Sequence, residues 1–228
     1  MKKLVFGGGV ILVIGMASCI GNSLENGGKE QQSADSARVA DSLARLMHIE
    51  NVLDVNSEEE LKKKYDPSNV SYDTIWGAEG YFTMGTYLRM DKATHVEIMW
   101  MDSAARTGMI SATLVSDDDY FAEQLNKGTW SSRTGVYIGM STDELEKLNG
   151  RPFNFSGFGW DYGGGVMSWD GGALDQKGIA VQLSEGANAD LPQNEINQVL
   201  GDITVVSNNA VLKKLKPRVR TISVAKVK

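Results

Sequence analysis

Few side chains in this sequence are of the types that catalyse reactions. The 228 residues include two histidines, His48 and His95, and one cysteine, Cys19. A serine or cysteine hydrolase needs a base beside its nucleophile, and the two histidines fall in different predicted elements, a helix and a strand. Zinc sites need clusters of histidine and cysteine, which the sequence lacks. We therefore predict no catalytic residue, no metal site and no cofactor. A hydrolase that pairs His95 with a distant serine is the weakest hypothesis.

Acidic residues suggest two other kinds of site. The run Asp117–Asp119 could contact calcium, but it lacks the D-x-D-x-D-G-x5-E loop of calcium-binding hands and favours a solvated helix start. The paired carboxylates of a glycosidase are recognised by their separation, which a sequence does not give. Five candidates lie near aromatic residues: Glu79, Glu97, Asp161, Asp170 and Asp175.

Four aromatic residues lie at predicted strand ends and turns, and they are the candidate partner-binding residues. An exposed ring there could stack on a sugar or anchor a protein partner. Trp76 and Trp160 occupy equivalent places in two similar segments, which favours a role as core fillers. Tyr162 and Trp169 lie beside glycine turns, so we predict that these two are exposed.

The glycine-rich stretch from Phe158 to Gly165 could be mistaken for a phosphate-binding loop. Such a loop needs G-x-x-x-x-G-K followed by Ser or Thr, and a dinucleotide fingerprint lies between a strand and a helix. Here a strand pattern follows Gly163–Gly165, and no lysine does. The stretch is therefore predicted to be the tight connection of a hairpin, where glycine supplies positive φ. The same prediction applies to Trp169–Gly172.

Composition and charge exclude one class of partner. The chain has 42% hydrophobic residues, and its 23 basic and 29 acidic side chains give a net charge of -6. Nucleic-acid binding requires many phosphate neutralisations, and the longest basic block is Lys62–Lys64. We therefore predict no nucleic-acid partner. The length suits one large domain or two small ones.

The N-terminus has the order of an export signal. Lys2 and Lys3 precede an apolar run, Leu4–Met16, and the small residues Ala17 and Ser18 follow it. The apolar run is shorter than the roughly 20 residues that cross a bilayer, so residues 1–18 are predicted to be a removed signal peptide rather than a membrane anchor.

The four residues Met16–Cys19 resemble the lipobox of bacterial lipoproteins. The resemblance implies that Cys19 is acylated and becomes the first mature residue. It also implies an exported chain that is lipid-anchored in the cell envelope, and we expect the outer membrane of a Gram-negative bacterium. The alternative is a free thiol just beyond an ordinary cleavage site.

Two segments precede the main body. Residues 19–32 are polar and rich in glycine, which is typical of a flexible spacer. Residues 33–50 place Val39, Leu43 and Leu46 at helical spacing, which predicts a helix that packs on the body. A helix that binds a partner or lies on a membrane is less favoured, because its polar face carries mixed charges.

The remainder contains two similar segments, 51–135 and 136–228. Ser57–Lys64 lies 84 positions before Ser141–Leu148, and at the same offset Trp76 falls on Trp160 and Gly80 on Gly164. Residues 106–115 also resemble residues 218–227. Each segment opens with the S-x-x-E spacing of a helix capping box.

Alternating apolar residues between turn clusters follow each helix start, which predicts antiparallel meanders. We therefore predict an α+β fold of two tandem repeats, each a short helix packed on an antiparallel meander sheet. The strands are predicted at 70–76, 81–90, 94–101, 109–116, 153–160, 165–170, 178–184 and 219–227, with a further helix at 191–201.

The run from Val136 to Pro152 resembles the entry motif of the SmpA/OmlA (BamE-like) outer-membrane lipoprotein family. The matching residues are Ile138, Gly139, Met140, Ser141, Glu144, Leu145, Leu148, Gly150 and Pro152. The resemblance implies a small α+β layer in a non-catalytic module that assists envelope assembly or inhibits an enzyme. The tandem arrangement is similar to that of the β-lactamase inhibitor protein family.

Three hypotheses of function follow. The first is a non-catalytic envelope lipoprotein, held to the membrane by its N-terminal lipid, that binds a protein partner. The second is a carbohydrate-binding lipoprotein that uses Tyr162 and Trp169. The third, and the least favoured, is a hydrolase.

Overall fold

The computed structural model describes residues 47–186 and 191–226, all within a compact unit that spans Ala44–Lys228. The predicted signal peptide, Cys19, the spacer and the predicted helix as far as residue 46 lie outside the described residues. Within the described ranges, no helix has the length and apolarity needed to cross a membrane.

The fold mixes short helices with mostly antiparallel strands, which confirms the α+β prediction at that level. The α-helices are α1 (Glu58–Lys64), α2 (Thr142–Asn149), α3 (Gln193–Ile196) and α4 (Leu212–Leu215), and 3-10 turns cover Ile49–Asp54, Pro67–Asn69 and Ala78–Gly80. The strands are β1 (Val70–Trp76), β2 (Phe82–Leu88), β3 (Thr94–Asp102), β4 (Thr107–Ser116), β5 (Asn154–Ser156), β6 (Val166–Ser168), β7 (Ile179–Ser184), β8 (Thr204–Val206) and β9 (Arg218–Ala225).

The strands form two sheets. The larger has the order β1-β2-β3-β4-β9-β7, and the smaller has the order β6-β5-β8. In the larger sheet β4 pairs with β9, so that Thr113 lies opposite Ser223 and their hydroxyl oxygens are 2.9 Å apart. A single antiparallel bridge, Gly165 to Gln182, links the hairpin of the smaller sheet to β7.

The two main helices begin where the capping spacing predicts. Ser141 accepts a hydrogen bond from the Glu144 amide, and the Glu144 carboxylate accepts one from the Ser141 amide, which completes a capping box. Ser57 accepts a hydrogen bond from the Glu60 amide in the same way, but the Glu60 carboxylate accepts from the Asn56 amide instead. Satisfying amides that lack a helical partner stabilises each helix by about 1 kcal/mol.

One face of the larger sheet is buried and the other is open. On the buried face the apolar residues of β3, β4 and β9 alternate inward: Val96, Ile98, Ala112, Leu114, Ile222 and Val224. Leu61 of α1 and Leu145 of α2 join the same buried cluster. The residues between them point the other way and are partly exposed. We call this side of the sheet the open face.

Several boundaries differ from the sequence predictions. The helix start predicted at Asp117–Asp119 was wrong, because the Asp119 carboxylate accepts from the Phe121 amide in a turn that no helix follows. The helix predicted at 191–201 is reduced to Gln193–Ile196, and β8 was not predicted. The last residues of the predicted 33–50 helix adopt a 3-10 turn that begins at Ile49.

Candidate functional site

A cleft crosses the open face of the larger sheet. Its floor is built from residues that the strand register places side by side: Glu97 opposite Thr113, Thr113 opposite Ser223, and Ser223 opposite Ala180. The floor therefore runs across four strands, β3, β4, β9 and β7. Neighbouring strands lie about 4.8 Å apart, so this row is about 14 Å long.

A second row lies beside the first. Val115 is opposite Thr221, and Thr221 is opposite Gln182. The Gln182 amide group donates to the Gly163 carbonyl at 2.9 Å, which ties the floor to the connection between β5 and β6. The floor thus combines hydroxyl, amide and carboxylate groups with the apolar side chains of Val115 and Ala180.

Two loops stand over the floor. The first, residues 77–81, connects β1 to β2, and the second, residues 157–165, connects β5 to β6. The amide of Glu79 in the first loop donates to the Asp161 carboxylate of the second at 2.6 Å. Because β5 and β6 form an antiparallel pair, the prediction of a hairpin connection for the glycine-rich stretch is confirmed.

The loops divide the cleft into two adjoining pockets. The Trp160 pocket has a volume of about 490 Å³ and is lined by Trp160, Tyr162 and Asp202. The Trp76 pocket has a volume of about 410 Å³ and is lined by Trp76 and Glu97. Asp161, Gln182, Thr221 and Ser223 line both pockets.

The exposed rings have defined neighbours. Trp160 donates its indole N–H to the Gly157 carbonyl at 2.8 Å, and its ring meets that of Tyr162 edge-on with the centroids 5.3 Å apart. Trp76 packs against Phe82 with the centroids 5.4 Å apart. Because a side chain that is already ordered loses less entropy on binding, these rings are suited to act as anchors.

The exposure predicted for three of the four aromatic candidates was wrong. Trp76 is 68% exposed and Trp160 is 38% exposed, although both were expected in the core. Trp169 was expected at the surface and is 8% exposed, because its ring packs on Phe153 at 5.4 Å. Tyr162 is 53% exposed, as predicted.

The cleft is acidic. Glu97, Asp161 and Asp202 line it, and no lysine, arginine or histidine is among its lining residues in the described chain. Glu97 lies 3.3 Å from Nε2 of His95 at the edge of the floor. Within the same described ranges, no basic side chain forms an ion pair with Asp161 or Asp202.

The two histidines lie in separate places. Both ring nitrogens of His95 contact carboxylates, Nδ1 that of Asp117 at 2.8 Å and Nε2 that of Glu97. Neither nitrogen is therefore placed to take a proton from a hydroxyl group. His48 lies 3.3 Å from the Ser131 hydroxyl, and neither residue lines the cleft.

The candidate carboxylates lie in different places. Glu97 and Asp161 line the same pocket, whereas Asp170 pairs with Arg151 at 3.3 Å outside the cleft. Among the residues that the structure describes, no group of three or more histidine, cysteine, aspartate or glutamate side chains could hold a metal ion.

Comparison of the chain with protein-family models, with curated proteins and with solved structures found no match. The function is therefore inferred from the geometry of the cleft. Glu97 and Asp161 were predicted from the sequence only as residues near aromatics, and Thr113, Gln182 and Ser223 were not predicted. Their alternation with apolar residues was the available signal, but it does not show that β4 and β9 are neighbours.

Proposed function

We propose that the protein is a non-catalytic lipoprotein of the cell envelope that binds a segment of a protein partner in the cleft. The observation that carries the proposal is the exposure of Trp76, Trp160 and Tyr162 around a preformed cleft. Tryptophan and tyrosine are the residues most enriched among those that dominate binding energy at protein interfaces. The hydroxyl and amide groups of the floor supply hydrogen bonds to the partner's backbone.

Removing both tryptophan rings should abolish most of this binding. In the full-length chain, Trp76→Ala combined with Trp160→Ala should weaken capture of the envelope partner at least about thirtyfold, because the loss of even one such anchor costs about 2 kcal/mol or more. The measurement is a titration of the immobilised protein with detergent-solubilised envelope proteins.

The control is Phe121→Ala, since Phe121 is 53% exposed and lines neither pocket. Capture by this variant should equal that of the unmodified chain. Equal capture by the double tryptophan variant would contradict the proposal.

A glycan is the second candidate ligand. The Trp160 pocket favours it because an aromatic pair, Trp160 and Tyr162, lies beside carboxylate, amide and hydroxyl groups, and sugars bind through stacking and many hydrogen bonds. Soluble envelope oligosaccharides should then change the tryptophan fluorescence of the unmodified chain but not that of Trp160→Ala. No response in either protein eliminates this candidate.

The two segments 51–135 and 136–228 are proposed to be repeats of one folding unit. The contacts at the helix starts support this, since Gly108 donates to the Asn56 carbonyl at 2.9 Å before α1 and Val219 donates to the Met140 carbonyl at 2.8 Å before α2. Ser57 bridges to Thr107 and Ser141 bridges to Arg218, both in antiparallel fashion.

The strand register gives independent support for the repeats. When residues 106–115 are aligned with 218–227, Ala112 corresponds to Val224, and these two residues are paired where β4 meets β9. This is the arrangement expected of two units related by a local two-fold axis. One difference remains, because β1 and β2 belong to the larger sheet whereas β5 and β6 pair with β8 in the smaller one.

The anchor is proposed to be a lipid on Cys19, in line with the Met16–Cys19 motif. Replacing Cys19 with serine removes the only thiol in the sequence, so we expect no labelling by a fatty-acid analogue and release of the protein from the membrane fraction. The measurement is metabolic labelling followed by fractionation of the cells. Unchanged labelling or unchanged fractionation in Cys19→Ser contradicts lipid anchoring at this residue.

A further inference from the structure

The charge and direction of the cleft indicate which kind of protein segment it binds. We propose that the occupant is an extended segment that carries lysine or arginine side chains and lies across the strands of the open face. This inference depends on the proposed function and names the chemical class of the partner.

The direction proposed for the bound segment follows from the arrangement of residues on the floor of the cleft. Glu97, Thr113, Ser223 and Ala180 form a row perpendicular to the strands. The row is about 14 Å long, given a strand spacing of about 4.8 Å, which matches about four residues of extended chain.

The positive charge proposed for the bound segment follows from the acidic residues that line the cleft. Three acidic residues, Glu97, Asp161 and Asp202, line the described cleft, and no lysine or arginine does. His95 contacts Glu97 at the edge of the floor, so within the described ranges the acidic side chains of the cleft without a basic neighbour are those of Asp161 and Asp202. Asp161 and Asp202 both line the Trp160 pocket. Asp161 lies in the loop of residues 157–165, and Asp202 lies just before β8. A cationic occupant is attracted to such a surface, whereas an acidic one is repelled, which sets specificity more than total affinity.

The aromatic rings add a second preference for cations. A lysine or arginine group is attracted to the face of a tryptophan or tyrosine ring, and Trp160 and Tyr162 flank Asp161 in the sequence. Both rings line the same pocket as Asp161 and Asp202. A basic side chain in this pocket therefore meets carboxylates and aromatic faces together.

Direct binding of short peptides tests the inference. The full-length chain, kept in a non-ionic detergent, is titrated against labelled synthetic peptides that alternate serine with lysine, with glutamine or with glutamate, and fluorescence anisotropy is recorded. We expect binding of the lysine peptide only. Its affinity should fall when the salt concentration rises from about 0.05 M to about 0.5 M, because screening shortens the range of charge interactions.

The net charge of -6 makes a charge-matched control necessary. The test variant combines Asp161→Asn with Asp202→Asn, and the asparagine at 161 keeps an oxygen that can accept from the Glu79 amide. The control combines Asp175→Asn with Glu123→Gln, two exposed residues outside the cleft. We expect about tenfold weaker binding in the test variant, or about 1.4 kcal/mol, and unchanged binding in the control.

The outcomes separate this inference from the proposed function. Equal binding of the three peptides, or equal loss of affinity in test and control variants, overturns the basic-segment inference. If, in that case, the variant that combines Trp76→Ala with Trp160→Ala nevertheless fails to capture the envelope partner, the proposed function stands. If the peptides fail to bind and the tryptophan variant captures its partner normally, both proposals are wrong.

Discussion

Replacing Gly164 with alanine is expected to lower the free energy of unfolding by about 3 kcal/mol or more, which places it among the strongly destabilising substitutions. Gly164 has a φ of +77°, and an added Cβ would lie 2.2 Å from the carbonyl oxygen of Leu183. That oxygen belongs to the backbone of β7, so no side-chain rotation relieves the contact. The Gly164 amide donates to Ser156 and its carbonyl accepts from Leu183, which holds the loop in place.

Gly178→Ala is the matched control for this prediction. Gly178 has a φ of +70°, but an added Cβ meets no atom within 4 Å. Its substitution should therefore cost only the backbone strain of an alanine in the left-handed region, about 1–2 kcal/mol. Chemical denaturation of both full-length variants measures the difference. Equal losses of stability would show that β7 does not closely approach the loop of residues 157–165.

Glu58 is expected to give the second large effect. Its side chain is buried, and its carboxylate accepts hydrogen bonds from Lys62 at 2.6 Å and from Thr86 at 2.8 Å. Arg106 lies 3.3 Å from the same carboxylate. Replacing Glu58 with glutamine removes the charge and should lower the free energy of unfolding by about 2–3 kcal/mol at neutral pH, the range for hydrogen bonds to charged groups.

The stability contributed by Glu58 should also depend on pH. Burial raises the pKa of Glu58, but hydrogen bonds from Lys62 and Thr86, together with the charges of Lys62 and Arg106, outweigh burial and lower the pKa below its usual value. A lowered folded pKa contributes stability above the unfolded pKa, and that stability is lost as the pH falls through the folded value.

The pH dependence is tested by comparing unfolding curves of the two proteins. The difference in stability between the unmodified chain and Glu58→Gln should be constant near neutral pH and should shrink below about pH 4.5, the ordinary pKa of a glutamate. Glu59→Gln serves as the control, because the Glu59 side chain is exposed and pairs with Lys63 on the surface of α1. A difference that does not change with pH argues against an ionised Glu58 in the folded protein.

The sequence predicted most elements of this fold because local patterns determine them. The S-x-x-E spacing at Ser57 and Ser141 predicted where α1 and α2 begin, because the serine side chain accepts a hydrogen bond from a first-turn amide that has no partner within the helix. The alternation of apolar and polar residues predicted β1, β3 and β7 to within one residue at each end. This pattern arises because one face of each strand is more buried than the other. β8 was missed because its three residues are too short for alternation to be detected.

The aromatic residues of the site were harder to predict because burial depends on distant contacts. Trp169 is buried by Phe153, and its backbone carbonyl accepts a hydrogen bond from the Asn149 side chain at 2.9 Å. Trp76 and Trp160 were predicted to lie in the core because they occupy equivalent positions in the two segments. Equivalent positions can both be exposed, however, as these two are at the open face. A sequence pattern specifies that positions correspond, not which side of the sheet they occupy.

The cleft itself could not be predicted. It exists because β4 pairs with β9, so that Thr113 and Ser223, which are 110 positions apart, become neighbours. Each of them alternates with buried apolar residues, which indicates that both point away from the buried face. Nothing local in the chain specifies which strand lies next to β4.

Site-specific photocrosslinking in the cells that make the protein tests the central claim most directly. A photoreactive benzoylphenylalanine replaces either Tyr162 in the cleft or Glu59. Glu59 is exposed on α1, the helix that packs on the face of the sheet opposite to the cleft. We predict a crosslinked protein adduct of discrete mass from position 162 and none from position 59. Adducts from position 59 alone, or no adduct from position 162 in cells that contain the partner, would contradict the account.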